Sequence, residues 1–314
     1  MTAVAGAQAG LAPADRGRSA VVALAWVEAR RMTWHPAFVL GLLASVAIVA
    51  AAVAGDADAD WAGAGYYSAM SGWVGVWVGT LATAALAAGR GRLVSDPDLF
   101  PGVPLRGAQR VQALLLALVG PVAVTTLGVG AVAAVVGARG GFRQADPPFS
   151  AGLVAPSVLE WLQIPLLVAL AGVVGIVIAH LPRGRALALL VVGVVTAMGT
   201  LIVWAFGAMP LRALHPLFLR TTSEPLPADF TPESWDGTTS LLEADEYDWW
   251  RMVRSDDATL AWHLVGVVGV ALVLVALAIR LADRDDRRPA RLAAIGAVVA
   301  LASIGAQLAV TGPT

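Results

Sequence analysis

Among residues able to do chemistry in this chain, Glu160 stands out, a carboxylate in the otherwise charge-free run LVAPSVLEWLQIP. An ionised carboxylate deep in hydrocarbon costs on the order of 2–3 kcal/mol even on the lenient insertion scale, so Glu160 must face other helices or give up its charge. Intramembrane acids of this kind bind substrate or relay protons. Gln163 shares that helical face and can hydrogen-bond it. Nearness to the end of the run and to Trp161 equally fits a hydrated interfacial position, and the pattern leaves both open.

Two further groups lie where the chain meets water. Glu28, Arg30 and Arg31 close the stretch AVVALAWVEARRMTWH, whose first half is apolar. This predicts a short helix lying along the inner leaflet, its arginines reaching phosphate, either as a plain topogenic anchor or as part of a contact surface. The segment Gly89–Arg110 is rich in Pro, Asp and Gly yet keeps Leu99, Phe100 and Leu105. Asp96 or Asp98 can cap a short helix there that Pro101 and Pro104 then break. Apolar anchors beside arginines suit the docking of a soluble partner, or belong to an ordinary loop.

Other chemistries are excluded by what the chain lacks. It has no cysteine, hence no disulfide and no thiolate. All 21 of its basic residues are arginine, so it has no P-loop lysine and no Schiff base. His35, His180, His215 and His263 are scattered, with no spacing suited to a metal, and no G-x-S-x-G elbow is present. No metal, bound cofactor or nucleic-acid partner is expected. The Ala/Gly/Arg-rich, lysine-free composition is of the kind a very GC-rich, actinobacterial-looking genome encodes.

These residues must be positioned by elements built for lipid. Hydrophobic residues make up 58% of the chain and charged ones 14%, against about 25% charged in a soluble domain. Apolar runs at Pro36–Ala54, Tyr67–Gly89, Val111–Gly137, Ala155–His180, Ala186–Phe206, Thr259–Ile279 and Leu292–Val310 are each near the 20 or so residues a helix needs to cross. The expected fold is an all-α, polytopic transmembrane bundle of about seven spans, with residues 1–20 a disordered tail, an N-terminal interfacial elbow helix, and the transmembrane body over 21–314.

Arginine sets the orientation. With the N-terminus cytoplasmic, 15 arginines fall in inner segments and six in outer ones, which favours a cytoplasmic N-terminus and an extracytoplasmic C-terminus. In the second span Ser71, Gly75 and Gly79 form a small-residue ladder, repeated by Gly296 and Ala300 in the last. Such ladders pack helices within a chain or between subunits. The acidic outer segment 207–258 is a gate, a lid or a connector, and Ser240–Arg254 is expected as a surface helix.

The elbow VEARRMTWHPAFVLGLL at Val27–Leu43, the spans flanking SDPDLFPGVPLRGAQRVQALLLA at Ser95–Ala117, and the His-started span with its Arg-rich loop at Trp262–Arg291 together resemble the permease subunits of ABC-2 type transporters. That family has an inner loop of the pattern T-x-E-L-x-x-S-L-P-x-x-x-x-R, to which Asp98, Leu99, Pro104 and Arg110 are similar in order. The resemblance implies an exporter subunit of the bacterial plasma membrane, without an ATPase site of its own. ATP would be used by a separate ABC ATPase subunit, docked on Glu28, Arg30, Arg31, Asp98, Leu99, Phe100 and Leu105, and a second permease subunit would complete the pathway. Two features depart from the family: an apparent seventh span, and Asp in place of the Thr/Glu pair. An ion-coupled transporter using Glu160 and a non-transporting scaffold are the other functions the residues allow.

Overall fold

The computed structural model describes residues 13–56, 64–93, 105–143, 153–181, 215, 217–219, 221–225, 250–253, 257–283 and 288–311. The chain is an all-α bundle and a multi-pass membrane protein. Among the described residues six helical runs are long and apolar enough to cross a bilayer: Pro36–Ala54, Ala64–Arg90, Gly107–Ala138, Val158–His180, Asp257–Ala282 and Arg288–Ala309. The expected span at 186–206 lies outside the described residues. Leu181, at one end of the fourth run, and Phe218, at the other, lie on either side of it in sequence.

Helix α1 (Pro13–Thr33) is the elbow. It starts seven residues earlier than expected, so part of the supposed disordered tail is helical, opening on a proline whose missing N–H costs nothing in a first turn. His35 then caps α2 (Pro36–Ala54), its Nδ1 accepting the Ala37 N–H at 3.2 Å.

The second run is two helices, α3 (Ala64–Ser71) and α4 (Val74–Leu93), broken at Gly72–Trp73. The break frees the Val76 amide, and Ser45 of α2 takes it, N to Oγ 3.0 Å. The two backbones nearly touch there: a Cβ on Gly75 would sit 2.7 Å from the Gly41 carbonyl oxygen, and one on Gly79 2.5 Å from that of Ala37. The ladder therefore packs α4 on α2 within the chain, but Ser71 is not part of it. Ser71 is exposed and bonds the Tyr67 carbonyl, while Gly72 meets Ile48 and Val49.

The third run divides into α5 (Gly107–Ala117) and α6 (Val119–Ala138) at Leu118. Pro121 is the cause, because it has no N–H for the Ala117 carbonyl. Gly140 and Gly141, both at positive φ, turn the chain into a small ladder of β1 (Phe142–Arg143) and β2 (Leu153–Val154).

Helix α7 (Val158–His180) is the core element, packing against α4, α6 and α8. Its Gly175 approaches the Leu81 carbonyl of α4 and its Gly172 the Leu118 side chain, so small residues again let helices close where lipid supplies no hydrophobic drive. Beyond it, β3 (Thr221–Pro225) pairs with β4 (Trp250–Val253), which leads into α8 (Asp257–Ala282). Residues 250–253 are thus a strand and not the last turn of the surface helix expected over 240–254; residues 240–249 lie outside the described ones. Helix α9 (Arg288–Thr311) packs along α8 through Gly269, Gly296 and Ala300, and the Ser303 hydroxyl bonds the Trp262 carbonyl.

Elements expected on one side of the membrane gather at one end. The end expected to face the cytoplasm, called the inner end here, holds the later part of α1, the end of α4 and the start of α5, where Gly107 abuts the Ala282 carbonyl of α8. At the opposite end, expected to be the outer one and called so below, α3, β1, the starts of α7 and α8, and residues 217–219 meet.

Candidate functional site

The outer end concentrates the buried polar groups. Glu160 is 1% exposed and occupies the first turn of α7, not its middle. Ser157 caps the helix, its Oγ accepting the Glu160 N–H at 3.3 Å, and the Glu160 Oε2 accepts the Ser157 N–H at 2.6 Å. This reciprocal capping box satisfies two amides that a helix start leaves unpaired, and a carboxylate there also complements the helix dipole. The other oxygen, Oε1, accepts the Tyr66 hydroxyl at 2.8 Å, tying α7 to α3. Tyr66 is itself fully buried, its ring edge-on to Phe142 at 6.1 Å.

Gln163, also 1% exposed, does a different job one turn deeper. Its Oε1 accepts the Phe218 N–H at 2.7 Å and its Nε2 donates to the Phe218 carbonyl at 3.0 Å. One side-chain amide thus takes both polar groups of a single residue. Leu217 joins the main apolar core, and Phe218 lies 5.3 Å from the His263 ring at the start of α8. At His215 burial pushes the pKa below its ordinary value of 6.5, with the Leu217 backbone hydrogen bond partly opposing the fall.

The inner end holds a second carboxylate. Glu28 is 7% exposed, with Arg31 Nη1 at 3.1 Å from Oε1 and Arg90 Nη2 at 2.9 Å from Oε2. It joins the elbow to the last turn of α4. Leu105 and Leu24, both partly buried, pack against Val21, Ala25 and Ala113, which holds the start of α5 to α1. Arg30 and Arg31 stay exposed, as do Trp26 at 77% and Trp34 at 75%, which gives α1 a face fit for an interface. Asp98, Leu99 and Phe100 lie outside the described residues.

Sequence reasoning placed Glu160 and Gln163 on one face but missed their partners Ser157, Tyr66 and Phe218, and it missed Arg90 for Glu28. Only Ser157 left a local signal, since Ser157-x-x-Glu160 is a capping-box pattern. Comparison of the chain with models of known protein families, with curated proteins and with solved structures found no match to any of them.

Proposed function

We propose that the chain is the membrane-spanning permease subunit of an ABC-2-like exporter in a bacterial plasma membrane, driven by a separate ATPase and paired with a second permease subunit. The observation that carries this is the Glu28–Arg90 clasp together with the packing of Leu105 on α1. The elbow and both flanks of the inner loop then form one body, so force applied to the loop reaches the first three spans together. With no lysine the chain has no ordinary P-loop, and a pump of this kind borrows its energy from a partner. The arginine distribution favours a cytoplasmic N-terminus, which puts the elbow and loop where such a motor works, and an extracytoplasmic C-terminus.

A proton-coupled role for Glu160 has less support, because both of its oxygens hold neutral donors that fix a helix start. The exporter reading is tested on the inner loop. Leu99→Ala combined with Phe100→Ala is expected to weaken capture of the ATPase about tenfold or more in mild detergent, as truncated anchors do, and to uncouple hydrolysis from transport while the subunit stays monodisperse. Full ATPase capture by the double variant, or no ATPase captured by the wild type, rejects it.

A further inference from the structure

We infer that the Arg31–Glu28–Arg90 cluster, with Arg30 beside it, is a binding site for the phosphate of an anionic phospholipid, set at the junction of α1 and α4. Its depth follows from the helices. The first span opens at Pro36, five residues beyond Arg31, and the second run ends at Arg90. The Glu28 carboxylate draws both guanidinium groups to one point, Arg31 Nη1 at 3.1 Å from one oxygen and Arg90 Nη2 at 2.9 Å from the other. Arginines are thus collected where two spans leave the hydrocarbon, the level at which lipid phosphates lie.

The charges are arranged for an anion and are not closed on themselves. Glu28 is buried with each oxygen on one arginine, while both arginines stay half-exposed, use one nitrogen apiece on it and have other N–H donors to offer. Arg30 is exposed and makes no ion pair among the described residues. Three positive charges against one negative leave a surplus of two, and Glu28 is the only acidic residue between Ser19 and Trp34. The exposed face of α1 fits the same occupant. Val22, Trp26, Arg30 and Trp34 follow one another along it at four-residue steps with Val27 and Arg31 alongside, whereas Val21, Ala25 and Met32 are buried on the other face. Apolar and indole surface leading up to guanidinium groups is the profile of a lipid boundary, acyl chain first and headgroup next. A phosphate seated on Arg31 and Arg90 would then add a third member to the contact that joins α1 to α4.

This site does not depend on the exporter reading. The full chain in mild detergent is offered equal amounts of phosphatidylglycerol and phosphatidylcholine with the same acyl chains, and the retained lipid is quantified by mass spectrometry. Two surplus charges predict a preference of about tenfold or more for phosphatidylglycerol, and equal retention overturns the site. Arg31→Gln with Arg90→Gln is expected to remove the preference. Should losing the clasp unfold that variant, Arg30→Gln decides, since it breaks no described ion pair: the preference is expected to fall about fivefold. Arg291→Gln removes one exposed charge from α9 and is expected to leave the preference unchanged. An equal fall in both single variants shows attraction by net charge alone and overturns the site. Inorganic phosphate at matched ionic strength is expected to leave the retained lipid in place, and displacement by it overturns the lipid assignment. If the arginine variants keep the lipid preference and lose ATPase capture instead, the face belongs to the ATPase and the lipid site is rejected. Failure of the Leu99 and Phe100 test rejects the exporter and leaves the lipid site standing.

Discussion

Glu28 and Glu160 are both buried glutamates whose two oxygens are each engaged, at opposite ends of the same bundle, yet they hold their surroundings by different physics. Glu28 is held by two guanidinium groups whose own side chains are 57% and 46% exposed, so the attraction acts partly through water. The described partners of the Glu160 oxygens include an amide and a phenol, and only 1% of the residue is exposed. The inner carboxylate is a clasp between segments that solvent can loosen. The outer one is a fixed part of a helix start, and the adjacent Gln163 holds both polar groups of Phe218. A polar residue in a membrane bundle is thus best judged by what solvates its partners, not by its own burial.

The largest effect expected from breaking this contrast is at Glu160. Glu160→Ala removes the side-chain half of the capping box and leaves the Tyr66 hydroxyl and the Ser157 amide without this acceptor, which should cost about 2–4 kcal/mol in thermal or denaturant unfolding in detergent. Glu160→Gln keeps a capping-box acceptor and should stay within about 1 kcal/mol of the parent with transport intact. Loss of transport in the Gln variant at normal stability would revive the ion-coupled alternative.

A smaller effect is expected at the clasp. A double-mutant cycle of Glu28→Gln and Arg90→Gln should give a coupling of about 1 kcal/mol or less, discounted for the exposure of the arginine, and raising salt from 0.1 M to 1 M should erode it. A coupling that ignores salt would mean the pair is sealed like Glu160, and the contrast would collapse.

The smallest effect concerns His215, whose Nδ1 lies 2.8 Å from the Leu217 carbonyl. Its pKa in the folded protein lies below 6.5, so the folded segment favours the neutral ring. The opened form then binds more protons between the lowered value and 6.5. This contribution to holding the segment is therefore at full strength above pH 6.5 and weakens as the pH falls below it, levelling off once the ring is charged in both forms. Exchange of the 217–219 amides, corrected for intrinsic rates, should rise modestly between pH 7.5 and 5.5, by less than about tenfold. Stronger protection at pH 5.5 would reverse the assignment of cause.

The positions of the six described spans were legible because a bilayer imposes a simple rule of length and polarity, and Pro36–Ala54 matches its apolar run residue for residue. The helix breaks were partly legible. Pro121 announces the one at Leu118, whereas the break at Gly72–Trp73 depends on Ser45 arriving from another helix to take a freed amide. That break also resets the helical phase, which is why Gly72 and not Ser71 meets α2. The Glu160 capping box was written in local sequence. Its link to Tyr66, 94 residues away, and that of Gln163 to Phe218, 55 residues away, depend on tertiary packing that periodicity does not encode.

The pairing of α8 with α9 bears on how the protein is made. Their contact is built from residues of the two helices alone, Gly269 against Gly296 and Ala300, and Ser303 against the Trp262 carbonyl. Such a hairpin can close as soon as both helices are released sideways from the insertion machinery, before either has found the rest of the bundle. α9 then shields the small-residue groove of α8 from lipid during biosynthesis, and α8 arrives at α7 with only one face left to satisfy.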